Sequence, residues 1–77
     1  MLNIELNQTI EDYLRSLYRI QQREGEVPNV TLARDLGITP SAVTEMARKL
    51  GKAGLVRYRR YEGLTLTDQG MRMALGI

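Results

Sequence analysis

The run TLARDLGITPSAVTEMARKL, Thr31–Leu50, constrains the fold more than any other part of the chain. Leu32, Ala33 and Leu36 recur at helical spacing. Gly37 follows directly, where a helix ends best on a residue that accepts a positive φ. Thr39-Pro40 then restarts the pattern: a hydroxyl N-cap followed by a proline at the first helical position. Val43, Met46, Ala47 and Leu50 form a second apolar stripe, with Ser41, Thr44, Glu45, Arg48 and Lys49 outside it. The run therefore predicts a helix capped by Thr31, with Asn29 and Val30 leading in, and a second helix from Pro40 to about Lys52. Two helices on so short a turn have strict needs. Ala33 is small where the second helix crosses the first, and Gly37 frees the turn. Ile38 and Val43 are the apolar pair expected to plug the angle.

The flanks complete the outline. Ile10, Tyr13, Leu14, Leu17, Tyr18 and Ile20 make one stripe of a helix over Thr9–Arg23. Its start is either Thr9, with Asp12 three residues on as a capping box, or Asn7. Gly25 and Pro28 end it. After Gly51 and Gly54, Leu55–Arg59 alternates at period two, and so does Leu64–Leu66. Arg60-Tyr61-Glu62-Gly63 turns between them. In that pattern Tyr58 shares a side with Val56 and is expected in the core, and Arg57 and Arg59 lie opposite. Thr67-Asp68 caps a last short helix whose Met71, Ala74 and Leu75 share a face. The fold class is mainly α with a small β-hairpin: a winged helix-turn-helix with a three-helix core, a two-stranded wing and a short C-terminal helix, read as a single domain over residues 1–77.

With no Cys and no His in 77 residues, there is no disulfide framework, no thiolate zinc site and no Ser–His or Cys–His dyad. No paired-carboxylate motif stands out either, so the chain does not read as an enzyme. The N-terminus has no basic start and no apolar run of the roughly 20 residues a membrane span needs. A cytoplasmic, nucleoid-associated protein with no membrane partner is the expectation.

Net charge is only +2, but it is unevenly spread. Arg48, Lys49, Lys52, Arg57, Arg59 and Arg60 lie between Met46 and Tyr61 with no acid among them, leaving the remainder of the chain net acidic. Such asymmetry fits a face for a polyanion. On a helix-turn-helix it predicts double-stranded DNA, with the second helix of the motif in the major groove. Thr39, Pro40, Ser41, Thr44 and Glu45 then face base edges, and Glu45 suits cytosine N4. Arg48, Lys49, Lys52, Arg57, Arg59, Arg60 and, near the wing tip, Tyr61 contact phosphates. The competing reading is a winged-helix protein-interaction module in a larger transport or transcription complex, with Met71, Ala74 and Leu75 as its apolar patch.

IEDYLRSLYRI, VTLARDLGITPSAVTEMARKLGKAGLV and YRRYEGLTLTDQG together resemble the N-terminal domain of the diphtheria-toxin-repressor and manganese-transport-regulator family. The resemblance spans about Thr9 to Ala74. It implies a metal-responsive transcriptional repressor, dimeric at full length and activated by Fe²⁺ or Mn²⁺. The family's base contacts fall on Thr39, Pro40, Ser41, Thr44 and Glu45. Its first-helix metal ligand falls on Asp12, as in the manganese-responsive branch. That branch's second carboxylate falls on Arg15, a cation. The remaining ligands, several of them His, are expected in a dimerisation domain that follows the part represented here. Asp12 on its own also serves as an acid in the first turn of a helix. Met71 and Met73 read as packing residues, a thioether being a poor ligand for a hard ion.

Overall fold

The structure, a computed structural model, describes residues 7–76. Four helices and one hairpin follow in the order α1 (Gln8–Glu24), α2 (Asn29–Leu36), α3 (Pro40–Lys52), β1 (Val56–Arg59), β2 (Gly63–Leu66), α4 (Asp68–Gly76). The start of α1 is set by Asn7, whose side chain accepts from the Ile10 N–H. The Thr9–Asp12 capping box does not form. Thr9 is already helical, and Asp12 Oδ1 accepts from Gln8 Nε2 at 2.8 Å, one turn back.

Ile10, Tyr13, Leu14, Leu17 and Ile20 of α1 are buried, and the helix packs on α2, α4 and β2. Each such side chain contributes about 1.5–3 kcal/mol through the area it removes from water. Tyr13 is fully buried, and its hydroxyl donates to the Val43 carbonyl at 2.8 Å. That bond ties α1 to the first turns of α3, and burial pushes the phenol far above its ordinary pKa. Val43, Ala47 and Leu50 carry α3 into the same core, with Met46 half-buried beside them.

The motif's turn forms as its residues dictate, with two corrections. Gly37 is left-handed (φ 70, ψ 33). Its N–H and that of Ile38 both return to the Ala33 carbonyl, closing α2. Ile38, expected to plug the inter-helix angle, is instead 40 % exposed: the reversal swings it outward and Val43 fills the angle alone. Helix α2 begins at Asn29 rather than at a Thr31 cap. Pro28 is its N-cap without a side-chain bond, and its carbonyl accepts from the Thr31 and Leu32 N–H groups. Proline's fixed φ sets the entry without a hydroxyl.

The wing pairs antiparallel, Val56 with Leu66 through Arg59 with Gly63. On its other edge β2 exchanges both backbone bonds with Val27, at 2.8 and 2.9 Å. Gln21 Oε1 accepts from the Leu66 N–H at 2.7 Å. The wing is thus fastened at its base to α1 and the α1–α2 loop. Tyr58, expected in the core with Val56, is 38 % exposed. Tyr58 instead lines an open groove together with Pro28, Asn29, Val30, Tyr61, Glu62 and Gly63. Thr67 Oγ1 caps α4 through the Gly70 N–H and donates to the Gly54 carbonyl. Gly70 and Ala74 face inward, but Leu75 is 64 % exposed and does not share their face. No helix among the described residues is long and apolar enough to cross a membrane.

Candidate nucleic-acid interface

Local chemistry builds the outer face of α3. Thr39 caps it, accepting from the Ala42 N–H at 3.1 Å, and Pro40 opens it. Pro40, Ser41, Thr44, Glu45 and Arg48 then line one open groove. Ser41 and Glu45 are exposed, while Thr44 is half-buried at the groove's inner edge. Thr44's hydroxyl donates to the Pro40 carbonyl and accepts a short bond from Asn29 Nδ2.

Asn29 connects two surfaces. It also lines a second groove, with Val30, Tyr58, Tyr61 and Glu62, between the start of α2 and the wing. The α3 groove and the wing groove therefore meet at the Asn29–Thr44 bond and form one continuous face. In the sequence Asn29 reads only as a lead-in to a helix. Its partner is fifteen positions away, and no local pattern signals the pair.

Of the basic side chains, Arg48 lines the α3 groove itself. Arg48, Lys49, Lys52, Arg57, Arg59 and Arg60 are all exposed. Among the described residues, Lys49, Lys52 and Arg57 meet no carboxylate. Arg48 lies 3.7 Å from Glu45, and Arg59 lies 3.5 Å from Glu62 and 3.8 Å from Glu26. Loose exposed pairs of this kind are worth about 0–1 kcal/mol and give way to a stronger anion. At the wing tip Tyr61 is 91 % exposed with φ 72, and the Arg60 guanidinium sits 5.0 Å from its ring centre. A non-glycine residue in the left-handed region stores strain of about 1–3 kcal/mol, a common mark of a working site.

Asp12 lies elsewhere, in a groove on α1 and α2 with Arg15, Ser16, Arg19, Asp35 and Leu36. Its carboxylate holds Gln8, Arg15 pairs with Glu11 at 3.3 Å, and Arg19 pairs with Asp35 at 2.6 Å. No group of three or more His, Cys, Asp or Glu able to hold a metal exists among the described residues. The groove's two carboxylates, Asp12 held by Gln8 and Asp35 by Arg19, lie among two guanidinium groups and are a poor donor set for Fe²⁺ or Mn²⁺, so Asp12 does not fit a metal centre by itself.

Three helices with a fastened two-stranded wing, and a polar outer face on the second helix of the turn, define the winged helix-turn-helix class of DNA-binding domain. Within that class, residues 5–64 match the iron dependent repressor N-terminal DNA binding domain, and the chain belongs to that family. It is 44% identical over 70 residues to an uncharacterized HTH-type transcriptional regulator of Methanocaldococcus jannaschii, covering 90% of this chain and 56% of that protein. It is 34% identical over 65 residues to the HTH-type transcriptional regulator MntR of Bacillus subtilis, covering 84% and 46%. The chain thus spans about half the length of these relatives. Among solved structures, a hypothetical protein from Sulfolobus solfataricus superposes with TM-score 0.80 at 29% identity, over 90% of this chain and 53% of that one. The manganese-activated repressor ScaR superposes with TM-score 0.69 at 35% identity, over 82% and 30%. ScaR is also known with bound Zn²⁺, so relatives of this chain carry metal in longer proteins.

Proposed function

We propose that this domain reads double-stranded DNA at specific sites, as the DNA-binding part of a metal-responsive repressor that works as a homodimer. The observation that carries the reading is the polar groove on α3, with Arg48 in its lining and with Lys49, Lys52 and Arg57 exposed and without a carboxylate partner among the described residues. In this reading α3 lies in the major groove. Thr39, Pro40, Ser41, Thr44 and Glu45 approach base edges. Arg48, Lys49, Lys52, Arg57, Arg59, Arg60 and Tyr61 hold phosphates, which fixes position without reading sequence. The domain is 29 Å in its longest dimension. Half-sites on one face of DNA recur about every 34–36 Å, so two copies fit side by side on a palindrome.

Metal control, in this reading, draws on ligands beyond residues 7–76, since no group of three or more metal-ligating residues forms among them. Asp12 would then contribute one carboxylate to a centre completed by the longer protein. DNA binding by this chain is accordingly expected to be the same with added Mn²⁺ and with EDTA. A micromolar Mn²⁺ site in calorimetry, lost in Asp12→Ala and needed for DNA binding, would overturn that.

Salt dependence tests the interface as a whole. With about four phosphates neutralised per domain, the logarithm of the affinity falls against that of salt with a slope of about −3.6. A fluorescence titration with duplex DNA showing no salt dependence would refute the proposed face.

A further inference from the structure

The Thr44 hydroxyl proton is committed inside the protein. It goes to the Pro40 carbonyl, and the hydroxyl oxygen accepts from the Asn29 amide. A threonine held on both sides in this way has one rotamer. Thr44 therefore has no hydrogen-bond donor left for a base, and beside one remaining lone pair it has its methyl group to offer the groove it lines. Of the four bases, only thymine presents a methyl in the major groove, and threonine methyls pack against it.

We infer that Asn29 and Thr44 form a thymine-reading pair, in which Thr44 contacts a thymine 5-methyl group and Asn29 is the positioning residue that holds it there. The inference rests on α3 being the base-reading helix. Asn29 suits the role because it is half-buried at the start of α2, where the helix needs no cap from it: Pro28 sets the entry, and the Asn29 amide is left free to cross to α3. The bond thereby makes one thymine preference depend on how α2 packs against α3.

The test uses a duplex selected from a random library by the wild-type chain, with each thymine in turn replaced by uracil. This removes one methyl and changes nothing else on the base edge. At one position the wild type is expected to lose about fourfold in affinity, the value of burying one methyl group. Thr44→Ser keeps the hydroxyl and its two bonds but not the methyl, and should bind thymine and uracil duplexes equally. Asn29→Ala releases the rotamer and should lose most of the preference while its salt slope stays unchanged, which a loss of general affinity would not produce. Thermal melting of each variant confirms folding. A selected duplex indifferent to uracil at every position would overturn the inference and leave base reading by α3 intact. So would a Thr44→Ser or an Asn29→Ala chain that keeps the preference. Failure to select any duplex would overturn the DNA-reading function, and the inference with it.

Discussion

The α1–α2 face and the α3–wing face both carry arginines, but in different company. On the first, Arg15, Arg19 and Arg23 each lie against a carboxylate: Glu11 at 3.3 Å, Asp35 at 2.6 Å and Glu24 at 3.8 Å. Asp35 answers in kind. Hydrogen bonding from Ser16, helped by the Arg19 guanidinium and the charge of Arg23, holds its carboxyl below the usual carboxylate range, against an opposing effect of burial. On the second face, Lys49, Lys52 and Arg57 have no carboxylate beside them among the described residues. Charge that is neutralised internally serves packing. Charge left open attracts a polyanion. The shortest of these contacts, Arg19–Asp35 at 2.6 Å, lies on the first face, while Arg48 and Arg59 on the second sit 3.5–3.8 Å from their carboxylates.

The wing's fastening is the first way to break this contrast. Gly63 has φ 127, and a Cβ there would stand 2.5 Å from the Val27 carbonyl oxygen. Gly63→Ala is expected to cost about 3 kcal/mol or more, because strain and a backbone clash coincide. Chemical denaturation measures the loss, and DNA affinity should fall with it as the wing leaves the α3 groove. A variant of wild-type stability would mean that the wing is not clamped to Val27.

The turn that aims α3 comes next. Gly37 is left-handed, but no atom lies within 4 Å of where its Cβ would be. Strain alone acts, so Gly37→Val should cost about 1–3 kcal/mol. An unchanged melting temperature would place the turn elsewhere.

The contrast itself is sharpened by a matched pair of variants. Arg57→Ala should weaken binding to all duplexes alike, severalfold, and flatten the salt slope by about one. Arg19→Ala should leave binding within twofold of wild type and cost at most about 1 kcal/mol of stability, as an exposed pair does. Titrations of both at several salt concentrations decide it, and equal effects on DNA binding would erase the distinction between the faces.

The smallest effect concerns acid. The folded-state pKa of Asp35 lies below its unfolded value, so its contribution to stability is present above the unfolded pKa of about 3.9 and is lost as pH falls through the folded one. Asp35→Asn should therefore be less stable than wild type at pH 7, by no more than about 1 kcal/mol, and equal to it well below pH 3. Thermal melts across that range check the sign. A gap that widened in acid would refute it.

Much of this protein was determined by its sequence, because the signals are local. Gly37 and Thr39-Pro40 punctuate two helical periodicities, period-two alternation flanks Tyr61-Glu62-Gly63, and Thr67-Asp68 opens α4. Each places an element within a few residues of where it lies. That α3 and the wing carry a basic run could also be read, although Glu45 and Glu62 at its edges lie against Arg48 and Arg59. What only the tertiary structure decided depends on contacts between distant positions. Val27 closes the edge of β2, and Gly70 lets α4 approach the Leu55 carbonyl. Ile38 and Tyr58 are apolar by type but lie where no packed element covers them, so hydropathy alone misplaced them. The Asn29–Thr44 bond joins residues fifteen apart, and neither has a motif. Local periodicity specifies which backbone forms, because each residue's φ/ψ preference and face are set by its neighbours in the chain. Which side chains meet is set by how the helices cross, and that geometry exists only once the core has closed.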